Sequence, residues 1–248
     1  MARIRIGIGG WSYAPWRGEF FPKGLPQSME LEYAAGRLGA IEINGTFYSR
    51  QKREVWEKWG AAAPECFQFA VKGSRFCVTR PKLADAGEGI GNFLAQGIAA
   101  LGKKLGPILW MLAARRGFDR DDIAAFLDLL PSEHEGVRLR HVIEPRHDTF
   151  RDETFFQLCR DRDVAIVFGD DDEFPCIDAD TASFAYARLQ RMREEIPTGY
   201  DEGALDAFAE RARRWQADGR DNYIFMINGA KLRAPAAALA LQDRLAEN

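Results

Sequence analysis

Short apolar or β-branched runs recur along the whole chain, and each is bounded by glycine, proline or polar residues. Runs of this length and composition are typical of buried β-strands. We therefore predict eight strands, which we number one to eight along the chain. They cover residues 4–8, 40–44, 67–72, 108–112, 141–146, 164–170, 184–189 and 223–228.

Helical patterns separate most of these strands. Several carry end signals: Ser28 precedes the first helix, and Asp119 and Pro131 bracket the fourth. Residues 171–182 are the weakest segment, because a helix is expected there but the residues are typical of a loop. The predicted helices cover residues 29–38, 54–62, 90–101, 121–130, 152–162, 202–217 and 234–245.

The regular alternation of strand and helix indicates a parallel sheet, because parallel strands need a covering crossover. Eight repeats in 248 residues favour a closed (β/α)8 TIM-like barrel, and the absence of a linker predicts a single domain over residues 1–248. A flavodoxin-like or Rossmann sheet is the main alternative. However, Trp11 and Ser12 follow the glycines at 7, 9 and 10, so the G-x-G-x-x-G fingerprint is absent. We expect no nucleotide cofactor.

Composition narrows the class of protein further. Hydrophobic residues make up 46% of the chain, the net charge is −3, and the 34 basic residues are scattered. A dedicated nucleic-acid binder needs a basic stripe, so nucleic acid is a disfavoured partner. We find neither a signal peptide nor a membrane-spanning run, and we predict a cytoplasmic protein. The four cysteines lack metal-ligand spacing and are expected to be reduced thiols.

Side chains along a strand alternate between two faces, so each strand pattern also predicts which residues share a face. Bulky residues of strands two and three, such as Ile41 and Phe69, are expected to face the helices. Charged residues of the same strands then point into the barrel, whose C-terminal end carries the site in enzymes of this fold. The side chains expected to converge there are Glu42, Asn44, Lys72, Glu144, Arg146, Asp170, Arg188 and Asn228.

This expected cluster holds three acids and three bases, and three interpretations remain open. The bases can bind a carboxylate or phosphate while Glu42 and Glu144 act as acid and base. The acids together with Asn44 can instead hold Mg²⁺ or Mn²⁺. The third interpretation is an inactive plug of salt bridges. His147 directly follows strand five, where it can act as a general base or hold Glu144 by a hydrogen bond.

Aromatic residues are concentrated in the loops that follow the first two strands. Trp11 and Tyr13 come after strand one, and Phe47 and Tyr48 come after strand two. Aromatic walls beside polar groups suit sugars, bases or other planar ligands. We expect Trp11, Tyr13 and Tyr48 to contribute to ligand binding.

Several motifs are specific enough to indicate a family. They are Gly10-Trp11-Ser12-Tyr13 with Trp16 and Phe21-Pro22, Glu42-Ile43-Asn44-Gly45-Thr46-Phe47-Tyr48, Phe69-Ala70-Val71-Lys72, Lys104-Leu105-Gly106-Pro107, and Glu144 with Arg146-His147. With these motifs the chain resembles the YecE-like family, also called domain of unknown function 72. The match runs nearly end to end, and the resemblance implies a barrel fold without an established reaction.

The chain also departs from the pattern of that family. The Gln-Pro pair usual at the end of strand four is absent from residues 111–113, and Gln190-Arg191 replaces the usual His-Gly pair after strand seven. Arg80 takes the place of a histidine, and Asn228-Gly229 stands where paired asparagines are usual. These departures imply a different substrate or a binding protein.

The combined expectation is an enzyme that acts on a small anionic or sugar-like molecule at the C-terminal mouth of the barrel. Its acid–base chemistry would be of the hydrolase or isomerase type, with Glu42, Glu144 and His147 as the catalytic candidates. The alternative is a non-catalytic protein that binds a small molecule or a nucleic-acid-related ligand.

Overall fold

The computed structural model describes residues 2–246. The strands are β1 (Ile4–Gly9), β2 (Ala40–Ile43), β3 (Gln68–Lys72), β4 (Leu105–Met111), β5 (Glu133–His134), β6 (Val137–Arg138), β7 (His141–Glu144), β8 (Ala165–Ile166), β9 (Phe168–Asp170), β10 (Phe184–Leu189) and β11 (Asp221–Met226). The α-helices are α1 (Glu30–Ala35), α2 (Arg53–Ala62), α3 (Arg75–Val78), α4 (Gly87–Leu94), α5 (Arg120–Asp128), α6 (Glu153–Arg160), α7 (Glu202–Ala217) and α8 (Ala234–Ala246).

The sheet is parallel, and its two ends meet at an interrupted strand. Its order is β8-β7-β4-β3-β2-β1-β11-β10-β9. The edge strands β8 and β9 are two halves of the sixth predicted strand, separated only by Val167. One half pairs with β7 and the other with β10. The amide of Val167 also donates to the carbonyl of Ile143 (2.9 Å), so the sheet closes into the predicted TIM-like barrel.

Two separate apolar layers confirm the barrel geometry. The inner layer contains strand residues with no helix partner, including Ala70, Leu109, Val142, Tyr186 and Phe225. The outer layer packs the opposite strand faces against the helices. Close approach of β1 and β2 requires a glycine at position 7, because a Cβ there would lie 1.9 Å from the carbonyl oxygen of Ala40.

Most predicted elements match the structure, but helix α3 and the interruption of the sixth strand were not predicted. Two further differences concern a helix and a hairpin. The predicted helix over residues 90–101 is broken. Helix α4 ends at Leu94, and a 3-10 segment (Ile98–Lys104) starts after Gly97, whose φ of 101° a continuous helix cannot contain. The short antiparallel hairpin of β5 and β6 was not predicted. Residues 171–182 form the predicted irregular loop.

The face assignment is correct for most strands and wrong for two. Strand β11 turns Tyr223 and Phe225 inward, so Asn228 follows the outer set of Ile224 and Met226. In the sixth strand the face that carries Asp170 is likewise the outer one. Within residues 2–246, no helix has the length and apolar character needed to cross a membrane.

Candidate functional site

The centre of the barrel mouth is a buried bridge between two carboxylates. Glu42 at the end of β2 and Glu144 at the end of β7 both accept hydrogen bonds from Arg188 of β10. Nη2 of Arg188 lies 3.1 Å from Oε1 of Glu42, and Nη1 lies 2.5 Å from Oε2 of Glu144. All three side chains are buried. These side chains converge because each points into the barrel near the C-terminal end of its strand, so residues distant in sequence meet at one end.

Further donors complete the coordination of the two carboxylates. The hydroxyl of Tyr186 donates to Oε2 of Glu42 at 2.6 Å. Arg146 donates through Nε and Nη2 to Oε1 of Glu144, at 3.1 and 2.9 Å. The Arg146 guanidinium also lies 4.3 Å from the ring centre of Phe174, in the loop after β9. Every oxygen of Glu42 and Glu144 therefore has a protein donor.

Lys72 is the one charged group of this cluster without a hydrogen-bond partner among the described residues. It ends β3 and is only 8% exposed. Its Nζ lies 4.5 Å above the ring centre of Phe47, which blocks one side of the amine. Burial and the positive charge of Arg188 lower the pKa of Lys72 to about 8, although Glu42 and Glu144 oppose this.

The charges in this cluster do not cancel. Two carboxylates face three cations, Lys72, Arg146 and Arg188, so one positive charge remains when Lys72 is protonated. Burial works to raise the pKa of Glu144, but the guanidinium groups of Arg188 and Arg146 outweigh it and leave this pKa below its ordinary value. Glu144 is therefore ionised at neutral pH and is a poor proton donor.

Asp170 lies in a separate cluster, contrary to the expected convergence. Its carboxylate pairs with Arg191 and accepts a hydrogen bond from the Tyr200 hydroxyl at 2.8 Å. Burial and the negative charge of Asp170 raise the pKa of Tyr200, so the tyrosine stays protonated. Because the outer face of β9 carries Asp170, its charge is neutralised outside the barrel interior and does not balance Lys72.

The two expected asparagines lie around the rim of the central cluster. Nδ2 of Asn44 donates to the backbone carbonyl of Glu42 at 3.3 Å. Asn228 adopts a left-handed conformation (φ 56°) and donates to the side chain of Gln190 at 2.8 Å. Asn228 lines two cavities, one beside Arg146 and one beside Asn44, and so lies between them.

The cavity beside Asn44 has aromatic walls, as expected for the first loop. It measures about 480 Å³, and Trp11, Trp16 and Trp59 line it together with Lys231. The rings of Trp11 and Trp59 meet edge to face at 5.2 Å. This aromatic cavity can accept a planar or sugar-like group beside the charged centre.

The remaining predicted site residues are more peripheral. Tyr13 lies beneath Lys231, whose Nζ is 4.6 Å from the ring centre. Tyr48 is 65% exposed on the rim. His147 caps a 3-10 helix (Asp148–Phe150), where Nδ1 accepts from the amide of Thr149. One ring nitrogen of His147 is thus committed to the cap.

The donor set of the mouth does not fit a divalent metal ion. Such an ion needs free carboxylate oxygens. The oxygens of Glu42 and Glu144 already accept from arginine and tyrosine donors, and Asp170 lies elsewhere. Across residues 2–246 there is no group of three or more acid, histidine or cysteine side chains positioned to hold a metal.

Several contributors were missed in the sequence. Tyr186 was available from parity, since it shares a strand face with Arg188, yet a tyrosine in a core strand is more typical of packing. Phe174, Arg191 and Tyr200 lie in irregular segments, where strand alternation gives no direction. Their contacts with Arg146 and Asp170 depend on loop conformation alone.

Fold and mouth together define a parallel β/α barrel, and solved structures share that shape. A DUF72 family protein from Thermotoga maritima superposes with a TM-score of 0.76 at 21% identity, covering 99% of this chain and 100% of that one. A DUF72 family protein from Enterococcus faecalis gives 0.74 at 17% identity, covering 98% and 95%. At these identities the likeness shows the fold.

The family follows from the sequence match. The model described as "Protein of unknown function DUF72" matches residues 5–248, and the chain belongs to this family. This confirms the resemblance that the motifs indicated. Among curated proteins, none matches the chain.

Proposed function

We propose that this chain is an enzyme that binds a small anionic molecule at the C-terminal mouth of the barrel, with Lys72 and Arg146 holding the anion. One observation carries the proposal: Lys72 is buried without a hydrogen-bond partner among the described residues. A buried cation without a partner is costly to the fold, and an anionic ligand would remove that cost.

Arg146 is the natural second ligand of the anion. Its side chain is 16% exposed, whereas Arg188 is 2% exposed and bonded to both glutamates. The Phe174 ring supports the Arg146 guanidinium in one orientation. Arg188, Glu42 and Glu144 then form a buried hydrogen-bonded support that positions the two anion-binding side chains.

The acid–base work falls to Lys72 more readily than to the glutamates. A group with a pKa of about 8 exchanges protons efficiently near neutral pH, and Glu144 is held ionised. In this proposal Glu42 and Glu144 set the field around the reacting group. His147 would contribute through its second ring nitrogen. The aromatic cavity gives room for a sugar-like or planar part of the ligand.

Calorimetric titration at pH 7 with inorganic phosphate, glucose 6-phosphate and glucose tests the binding step. Both anions should bind and glucose should not. Lys72→Met and Arg146→Met should each weaken binding at least about tenfold, since each removes a charge-assisted hydrogen bond. Lys82→Met and Arg115→Met, exposed cations elsewhere, are the matched controls and should bind normally. Equal affinity for all five proteins would refute the proposal.

The alternative is a non-catalytic binding protein at the same site. Metabolite anions that bind can be incubated with the wild type, Glu42→Gln and Glu144→Gln, and their conversion followed by mass spectrometry. Turnover that falls in the variants supports the enzyme. Binding without any product supports the binding protein. We also propose that the chain works in the cytoplasm, where its four free cysteines stay reduced.

A further inference from the structure

We propose that Lys72 is a covalent amine nucleophile, which forms an iminium with the carbonyl group of a small anionic aldehyde or ketone. The anionic part of this substrate class rests on the function proposed above. The carbonyl part rests on the surroundings of the amine itself. A lysine placed in the C-terminal mouth of a barrel, buried and without a partner among the described residues, meets the main structural requirements for this chemistry.

The amino group of Lys72 is left free to react. Lys104, another largely buried lysine, is engaged by contrast. It donates to the carbonyls of Gly60 and Ala63 at 2.9 and 2.8 Å and pairs with Glu65. Within residues 2–246 Lys72 has no such acceptor, and Phe47 covers one side of it. No acceptor bond therefore has to be broken before the neutral amine can react.

The electrostatics keep a usable share of this amine neutral. Burial and the Arg188 guanidinium lower the pKa of Lys72 to about 8. At pH 7.5 about a quarter of the molecules then carry the neutral amine, against about a thousandth for an ordinary lysine. Desolvation beside other cations is the usual way by which proteins activate a lysine for attack on carbonyl groups.

The step balances with water as the proton carrier. The ammonium releases one proton to water, the Nζ lone pair attacks the carbonyl carbon, and the C=O electron pair moves to oxygen. A proton passes from nitrogen to that oxygen, giving a carbinolamine. The hydroxyl takes up the released proton and leaves as water, and a C=N bond forms. No oxidant or reductant is needed. The iminium carries the same single positive charge as the ammonium did.

The fixed charges of the mouth suit both the cationic nitrogen of Lys72 and the anionic group of the substrate. Glu42 and Glu144 stabilise one positive charge beside Nζ, and this charge is equal in the ammonium and the iminium. Arg146 can hold the carboxylate or phosphate of the substrate by two parallel hydrogen bonds. The substrate would then present its carbonyl to Lys72 while its anionic group contacts the guanidinium.

Reductive trapping with glyoxylate and sodium borohydride tests the inference. Hydride reduces an iminium to a stable secondary amine, so peptide mapping locates the modified lysine. The adduct on Lys72 should exceed that on any other lysine at least about tenfold. Its rate should rise with pH through one titration near 8, whereas surface lysines follow one near 10.5. Equal labelling of many lysines without this titration overturns the inference, and this wild-type result does not depend on any variant folding.

Variants separate this inference from the proposed function. Lys72→Arg keeps the cation but lacks the amine, so it should bind phosphate and give no adduct, while Lys82→Met should be labelled as the wild type is. Phosphate binding by the wild type without an adduct on Lys72 would refute only the covalent step. Glycolaldehyde, a neutral aldehyde, should be trapped at least about tenfold more slowly than glyoxylate. Equal rates would support the amine nucleophile and refute the anion site.

Discussion

Burial of Lys72 lowers the stability of the fold, whereas the proposed function needs this buried amine at the mouth. Its ammonium is buried beside Arg188, while the two glutamates and the face of the Phe47 ring favour its charge. Residues in such surroundings are retained for function at a cost to stability. That cost can be measured directly.

Lys72→Met should raise the free energy of unfolding at pH 7. The pKa of Lys72 is 10.5 in the unfolded chain and about 8 in the fold, so the unfolded chain binds the extra proton between these values. Wild-type stability therefore rises with pH from 8 to 10.5, and below pH 8 the lysine costs up to about 3 kcal/mol. Urea unfolding at pH 7 should show a gain of about 1 to 3 kcal/mol. A loss of stability would show that the lysine supports the fold.

Arg188 and Arg146 should differ sharply in their effect on stability. Arg188 is the only donor of this pair that reaches both glutamates, so Arg188→Met leaves two buried carboxylates short of a partner. We expect a loss of about 3 to 5 kcal/mol, or failure to fold. Arg146→Met leaves Glu144 bonded to Arg188 and should cost at most about half as much. Comparable losses in urea unfolding would refute this ranking.

The charged core of the mouth could be predicted from the sequence because strand alternation is a local property. Glu42, Lys72, Glu144 and Arg188 belong to regular strands whose apolar partners reveal their face. Asp170 and Asn228 were assigned to the wrong face for different reasons. The strand before Asn228 carries large apolar residues on both faces, so its pattern does not distinguish the inner face from the outer one. In the sixth strand, Asp170 shares its face with the bulky Ile166 and Phe168, which pack toward the helices as the bulky residues of strands two and three do.

At the scale of elements, the sixth strand shows the clearest difference between prediction and structure, because it is interrupted at Val167. Its halves β8 and β9 pair with different neighbours. Asp170 at its end is fixed by Tyr200, from the long segment between β10 and α7. This contact joins residues 30 positions apart and depends on the conformation of the segment that carries Tyr200. The hydrophobic pattern of the sequence does not predict it.

The contact between β4 and β7 gives a pH-dependent test of an element. Trp110 donates to Nδ1 of His141, so the ring is neutral and its Nε2 donates to the carbonyl of Pro131 at 2.8 Å. Burial lowers the pKa of His141 to about 4. Between pH 6.5 and 4 the unfolded chain binds the proton and the fold does not, so up to about 3 kcal/mol of stability is lost on acidification.

His141→Asn should flatten this dependence, because the variant lacks the titrating ring. Urea unfolding at pH 7 and pH 4.5 should show a smaller difference than in the wild type, even though the substitution itself lowers stability at both values. His134→Gln, which changes a partly exposed histidine, should keep the wild-type slope. An unchanged slope in His141→Asn would contradict the assignment of the neutral buried ring.

At the scale of the whole molecule, one parallel barrel collects charges from four separate strands at its C-terminal end. We propose that it forms a single domain, since one closed sheet and one surrounding helix layer account for the described elements. The overall charge of −3 says nothing about this site. The mouth carries a local excess of one positive charge within a mildly acidic protein, and in the proposed function that local excess selects an anion.

Anion affinity should follow the titration of Lys72. Phosphate binding measured by calorimetry should weaken as the pH rises from 7 to 9.5, because the ammonium loses its proton around pH 8. The Lys72→Arg variant stays charged over this range, so its affinity should change little. A parallel decline in both proteins would assign the pH dependence to another group.

Selenate in crystals grown at pH 7 tests the positive mouth most directly, because anomalous scattering locates the ion without prior assumptions. In the wild type we expect the strongest selenium peak within hydrogen-bond distance of Lys72 Nζ and the Arg146 guanidinium, and in Lys72→Met that peak should be absent. Peaks confined to surface arginines, with none at the mouth of the wild-type barrel, would contradict the anion site.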